Sequence, residues 1–314
     1  MREPKYFQLT LNPLQYLVSL ILGVINFLLL SITILFINAL QMVSLIILPF
    51  SLKIFTRVNR AFANFWWGGI VFMMERVYRI KFIFTGDTLP AGENVILFAN
   101  HQGMIDIPVI MPIAWRKSRL GDLKFFVKDI LKYVPGPGWG MLFLGCLFVK
   151  RDWYSDKDHI GRIFSRFISG NVPIWLVSFL EGTRITAKKQ RSSQQFAKER
   201  GFKPLKHVMV PRTKGAVGSV IGLREHVSAV YDVTIAYPKG IPTLWQLMKV
   251  LPKEFHVNIR RFPVETLPFE QDALTTWFLK RYEAKDELLE SFYCNGMFPG
   301  TVLEEPYKLI LGRG

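Results

Sequence analysis

Residues 6–52 carry no charged side chain and no histidine, and 17–50 are almost wholly apolar. A membrane-spanning helix needs about 20 such residues. The stretch is therefore too long for one ordinary span and short for two spans with a generous loop. Asn26, Ser31 and Asn38 are its mild interruptions, where a turn is expected. A cleaved signal sequence would have an apolar region of about 7–15 residues and then a small-residue cleavage site; neither condition is met. Both flanks are basic, with Arg2 and Lys5 before and Lys53, Arg57 and Arg60 after. Positive flanks favour the cytoplasmic side. Residues 1–54 are thus expected to form a retained membrane anchor, either a helical hairpin or a pair of helices within one leaflet, in preference to a single crossing.

Beyond the anchor, 55–78 is rich in aromatics, among them Phe62, Phe65, Trp66, Trp67 and Phe72. These would serve either as an interfacial belt or as the core face of a first domain helix. Short apolar runs then alternate with helix-like segments, the pattern of an α/β domain. Strands are expected at 80–84, 95–99, 124–127, 146–149, 174–179, 207–210, 230–236 and 256–260. An amphipathic helix is expected at 270–292, and 301–314 reads as a tail or docking segment. The glycines of 136–140 lack dinucleotide-fingerprint spacing, so that string reads as a turn. The expected architecture is one α/β domain over 55–314, a mixed sheet flanked by helices, behind a helical membrane anchor.

The net charge of +16 at pH 7 fits a surface meeting anionic lipid headgroups or phosphate-bearing substrates. No nucleic-acid motif accompanies the charge, so nucleic acid is not an expected partner. Cys146 and Cys294 have no metal spacing; no metal site is expected, and Cys146, in an apolar run, reads as a core thiol.

Two strings carry the chemistry. In 100–106, Asn-His-Gln-Gly-Met-Ile-Asp, His101 and Asp106 stand five apart; in 179–184, Phe-Leu-Glu-Gly-Thr-Arg, an acid, a glycine and an arginine close an apolar run. On one continuous helix, five positions leave two side chains about 140° apart. Pro108, however, favours a helix start near Asp106 or Ile107, leaving His101 on a loop that folds back onto the carboxylate. An acid on Nδ1 and a free Nε2 is the arrangement of a general base. The bland alternative is a polar loop histidine beside a helix N-cap. His101, Glu181, Arg151 and Arg212 each follow an expected strand, and parallel strands would gather all four at one sheet edge.

The pair of strings resembles the two signature motifs of the glycerolipid acyltransferase family, the enzymes that acylate lysophosphatidate and related lysophospholipids. The resemblance covers about 75–240. It implies that His101 deprotonates a glycerol hydroxyl, which attacks an acyl thioester (acyl-CoA or acyl carrier protein) with no further cofactor. Asp106 orients the histidine. Glu181, Gly182, Thr183 and Arg184 form the acceptor site, with Glu181 positioning the loop or touching the acceptor, and Gly182 offering an N–H to the acceptor or the oxyanion. Phe148-Val149-Lys150-Arg151 resembles the block ending in an acceptor-binding arginine, and Lys128 resembles a lysine before a proline-bearing block. Pro211 and Arg212 resemble the fourth block, in a branch that includes lysocardiolipin acyltransferases. Leu180 stands where proline often precedes the second motif, and 188–207 is strongly basic; both departures bear on the preferred acceptor. The expected location is a membrane, with the active site on the cytoplasmic side; compact size favours the bacterial inner membrane, with the endoplasmic reticulum as alternative. The rival of another class is a non-catalytic membrane protein that binds anionic lipid through its basic face.

Overall fold

The computed structural model describes residues 4–150 and 153–303. In chain order the main elements are α1 (Pro13–Ser44), α2 (Leu52–Phe72), β1 (Lys81–Gly86), β2 (Val95–Ala99), α3 (Asp106–Arg116), β3 (Leu123–Lys128), α4 (Pro137–Phe143), β4 (Leu147–Val149), α5 (Trp153–Ser169) and β5 (Trp175–Phe179). There follow α6 (Ala187–Glu199), α7 (Thr213–Leu223), β6 (Ala229–Ala236), α8 (Leu244–Met248), β7 (Glu254–Pro263) and α9 (Gln271–Asn295).

The strands form one mixed sheet in the order β1-β7-β6-β2-β5-β3-β4. From β6 to β4 every neighbouring pair is parallel; β7 runs antiparallel to β6, and β1 parallel to β7. β2 is buried at every position, as a strand covered on both faces must be. One face packs Val95, Leu97 and Ala99 against Trp67 and Val71 of α2 and Val109 and Ile113 of α3. The other packs Ile96 and Phe98 with Phe164 of α5, Val220 of α7 and Phe278 of α9.

Three expectations are corrected. No strand forms at 207–210. A strap over 204–210 lies between α6 and α9 instead, and side chains replace a partner strand. Lys206 N and His207 N donate to the Asp286 carboxylate at 2.9 and 2.6 Å, Met209 N donates to Glu181 at 3.1 Å and Val210 N to Ser193 Oγ at 2.9 Å. Gln194 Nε2 donates to Leu205 O at 2.8 Å, and Gln190 caps Lys206 O. With its main-chain groups satisfied this way, the segment needs no ladder. Second, 137–143 is helix α4, with Pro137 in its first turn, where proline is favoured. A Cβ at Gly138 would stand 1.9 Å from Leu131 O, so that glycine serves close packing.

Third, α1 runs unbroken through Asn26, Ser31 and Asn38, and the chain reverses only over 45–51. Its N-terminus is fixed by a capping box between Asn12 and Gln15. The polar residues turn inward. Asn26 Nδ2 donates to Met248 O at 2.8 Å and Oδ1 accepts from Tyr78; Asn38 Oδ1 accepts from Gly136 N at 2.8 Å, and Ser44 Oγ from Asn59 at 2.9 Å. Ile32, Leu35, Phe36 and Val43 face outward and are exposed. At 1.5 Å per residue, a helix of this length extends about 48 Å, fastened to the domain near both ends. In α2, Trp67 packs edge-on against Phe125, as the core-face reading expects, while Phe65 is exposed.

α9 is tied beneath the sheet by a buried ion pair. Lys285, with no exposed side-chain surface, donates to Asp232 Oδ1 at 2.5 Å, Val233 O at 2.6 Å and Thr234 Oγ1 at 3.1 Å. Burial lowers the Lys285 pKa and the Asp232 charge opposes that shift. Removing Lys285 leaves the buried Asp232 carboxylate with Arg281 Nε alone, 3.4 Å away, so Lys285→Met should cost about 3 kcal/mol in denaturant unfolding. Lys285→Met with Asp232→Asn should recover much of that loss.

Candidate active site

β2 and β5 are adjacent and parallel, with Ala99 opposite Phe179, so the two strings leave the sheet side by side. They are joined through the main chain. His101 N donates to Glu181 Oε1 at 2.7 Å, and Ile185 N donates to His101 O at 3.0 Å. Asn100 continues the β2–β6 ladder with its side chain, accepting from Ile235 N at 2.8 Å and donating to Ile235 O at 2.9 Å. Four hydrogen bonds thus fix the backbone on which the histidine stands.

α3 begins at Asp106, and the loop before it folds back. His101 Nδ1 lies 2.9 Å from Asp106 Oδ2. The same oxygen accepts Gly103 N at 2.9 Å, and Oδ1 accepts Tyr237 Oη at 2.5 Å. Asp106 is buried, whereas the His101 side chain keeps 14% of its surface exposed. Its ring stacks on Phe179 with centroids 4.2 Å apart. Among the described residues Nε2 carries no hydrogen bond. Tyr237 was not anticipated; it directly follows β6, so the strand-end argument that places His101 also reaches it. Burial and the Asp106 charge hold its phenol well above the usual tyrosine range.

The acceptor candidates divide. Glu181 is buried and both oxygens are spent on main-chain N–H groups, those of His101 and Met209. Gly182 N donates to Phe179 O at 3.0 Å, so it is not turned to a ligand. Gly182 has φ +68°, and a Cβ there would meet Arg212 Cδ at 3.1 Å; the glycine permits both the turn and the approach of Arg212. Arg212 does not follow a strand, yet it reaches this edge because its N donates to Leu180 O at 2.7 Å. Pro211 is buried; Arg184 and Arg212 are exposed. Thr183 Oγ1 accepts Lys189 Nζ at 2.6 Å. Lys128 is exposed at the end of β3, one strand beyond β5 from the histidine. Arg151 lies outside the described residues.

Burial pushes the Glu181 carboxyl up to about 8, against the two N–H donors that favour its charged form. Its partner strap is itself held from α9, where Asp286 also accepts Val208 N at 3.3 Å, and His207 Nε2 lies 2.7 Å from Glu290 Oε2. A line of contacts therefore runs from α9 through the strap and Glu181 to the histidine main chain. No group of three or more His, Cys, Asp or Glu suited to a metal occurs among the described residues.

The site is a histidine–carboxylate pair at the carboxyl edge of parallel strands. The sequence model of the Acyltransferase family matches residues 81–238, and that of the Acyltransferase C-terminus matches 246–312. The probable 1-acyl-sn-glycerol-3-phosphate acyltransferase 5 of Arabidopsis thaliana is 34% identical over 263 residues, covering 82% of this chain and 70% of that protein. Lysocardiolipin acyltransferase 1 of Gallus gallus is 35% identical over 230 residues, covering 72% of this chain and 61% of that protein. The crystal structure of the 1-acyl-sn-glycerophosphate acyltransferase PlsC of Thermotoga maritima superposes with a TM-score of 0.52 at 15% identity, covering 88% of this chain and 97% of that one, a likeness of fold. The chain belongs to the glycerolipid acyltransferase family.

Two predictions follow from the Glu181 connection. Its carboxyl keeps its proton from the ordinary 4.5 up to about 8 in the fold. The resulting stability is complete below pH 4.5 and is lost as pH rises through about 8. Against Glu181→Gln, which does not titrate, the parent's melting temperature should fall steadily over that window and level off above it. Asp286→Asn removes one acceptor from the strap and should cost about 1–3 kcal/mol in denaturant unfolding; an unchanged midpoint would show that the strap is held elsewhere.

Proposed function

We propose that the chain transfers a fatty acyl group from a thioester donor, acyl-CoA or acyl carrier protein, to the free hydroxyl of a 1-acyl-glycerol 3-phosphate, giving phosphatidate. The observation carrying this reading is the His101 ring, fixed at Nδ1 by Asp106 and open at Nε2. Nε2 takes the proton of the acceptor hydroxyl as its oxygen attacks the thioester carbonyl. The C–S bond then breaks, and the proton passes from the imidazolium to the departing thiolate. Asp106, which also receives Gly103 N and Tyr237 Oη, holds the tautomer and stabilises the imidazolium. Exposed Arg184 and Arg212 supply planar guanidinium forks suited to a phosphate, with Thr183, Pro211, Lys128 and Arg151 as the other members of the acceptor region. Glu181 acts as a main-chain clip. Names of the relatives from Arabidopsis thaliana and Gallus gallus agree with this chemistry and differ in acceptor.

A second acceptor reading has its own observation. Lys188, Lys189 and Arg191 are exposed on α6, which starts three residues after Arg184. A lysophospholipid with a more anionic headgroup would engage them, making the enzyme a remodelling acyltransferase.

The inverted α1, polar toward the domain and apolar outward, supports a reading in which this site works at a membrane. In this reading α1, tied to the domain at Asn26, Asn38 and Ser44, lies within one leaflet with its apolar face in lipid, and the basic flanks favour the cytoplasmic side for the active edge.

The test is acyl transfer by detergent-purified protein with oleoyl-CoA or oleoyl-acyl carrier protein and a panel of lysophospholipids. His101→Ala should lower kcat/KM by about 10²–10⁴-fold, the range for losing a general base. Turnover confined to another lysophospholipid would replace the acceptor assignment. Folded protein inactive with every pair would leave anionic-lipid binding as the function.

A further inference from the structure

We propose that the segment between β3 and β4 is a second lipid-embedded element, a lip that enters the same leaflet as α1 beside the catalytic edge. The inference rests on the membrane reading of α1 and extends it to a part of the domain the anchor does not include.

The segment comprises a 3-10 turn (Asp129–Tyr133) and α4. Its side chains are unusually apolar for their exposure: Ile130 is 65% exposed, Tyr133 68% and Leu142 50%, with Leu131 and Val134 beside them. A contiguous exposed group of this kind marks an interaction site. Its occupant follows from continuity with α1. Gly136 N donates to Asn38 of α1 at 2.8 Å, and Cβ atoms at Gly136 and Gly140 would stand 3.3 and 3.7 Å from Ile34 side-chain atoms. At that level of α1 the outward residues are Leu35 and Phe36. The lip therefore prolongs an apolar face already outside the domain.

Charge agrees with lipid as the occupant. Within the segment, Lys132 pairs with Asp129 at 2.8 Å and lies 5.1 Å from the Tyr133 ring centroid, so the turn carries no net charge into the interface. Exposed Lys128 and Lys150 stand at its two ends, where anionic headgroups attract cations, and an exposed tyrosine suits headgroup depth. The lip issues from β3, two strands from β2 in the sheet, or about 10 Å at the usual spacing. An acyl chain lying in the leaflet thus has a short route to His101.

Single cysteines carrying an environment-sensitive fluorophore test this in the full chain. Ile130→Cys, Leu142→Cys, Phe36→Cys on α1 and Lys198→Cys on α6 are made with Cys294→Ser, since Cys294 is exposed and Cys146 buried. The proteins are reconstituted in phosphatidylcholine–phosphatidylglycerol vesicles with or without acyl-chain spin labels. The expected result is a blue shift and loss of emission to spin label at 130, 142 and 36, with 198 remaining aqueous. Aqueous emission at 130 and 142 with lipid-like emission at 36 overturns the lip and spares the anchor; aqueous emission at all three overturns both. A blue shift without spin-label quenching assigns the patch to a second copy and overturns the proposal. Failure of acyl transfer would strike the catalytic reading and leave these readings standing. Ile130→Asp with Leu142→Asp should lose turnover on vesicle-borne acceptor and keep it on acceptor in detergent micelles; equal loss in both overturns the proposal.

Discussion

One buried carboxyl group, that of Glu181, holds together the parts on which the site depends. It leaves β5, receives the main-chain N–H of the residue after β2's exit, and receives another from the strap below α6. Each segment leaves its own element with unpaired amides, and burying those amides unpaired would cost about 1–3 kcal/mol apiece. One side chain settles two of them. It does so far from water, which is why its proton is held to about pH 8. Of the two expected roles for this carboxyl, positioning the loop or touching the acceptor, its contacts are those of the first.

The contacts around that point divide labour by distance from the ring. Asp106 acts on the imidazole directly, and Tyr237 acts on Asp106. Glu181, Asn100 and Asp286 act on the main chain, at successively greater remove. α9 thus reaches the histidine loop through the strap and Glu181, and touches the end of β2 directly where Tyr282 Oη donates to Ala99 O at 3.2 Å; the buried Lys285–Asp232 pair fixes where α9 lies.

The central strand β2 was legible because it is an apolar run covered on both faces, and His101 and Asp106 because a proline two residues beyond the acid sets the helix start. The strap at 207–210 looks like a strand, since its pattern records burial and says nothing of what pairs with its amides. Its partners are scattered along the chain, on Glu181 and Ser193 before it and on Asp286 some eighty residues beyond. Tyr237 was hidden for the same reason, 131 residues from the carboxylate it meets. The polar residues of α1 read as interruptions because turns and inward hydrogen bonds leave the same trace when taken singly. Taken together, Ser19, Gly23, Asn26, Asn38, Gln41 and Ser44 fall mostly three or four apart or at multiples of a turn, a single helical stripe.

That stripe makes α1 part of the enzyme's interior as well as the bearer of its outward apolar face. Gly136 N, Met248 O and the Tyr78 hydroxyl all find partners on it. Cutting the helix away would not release a water-soluble catalyst; it would bare a seam of orphaned polar groups along the domain. Nor is the helix interchangeable with any other apolar segment of equal length, since a plain run of leucines would offer those groups nothing. In this protein, the helix that carries the apolar outer face and the integrity of the fold have become one inherited trait.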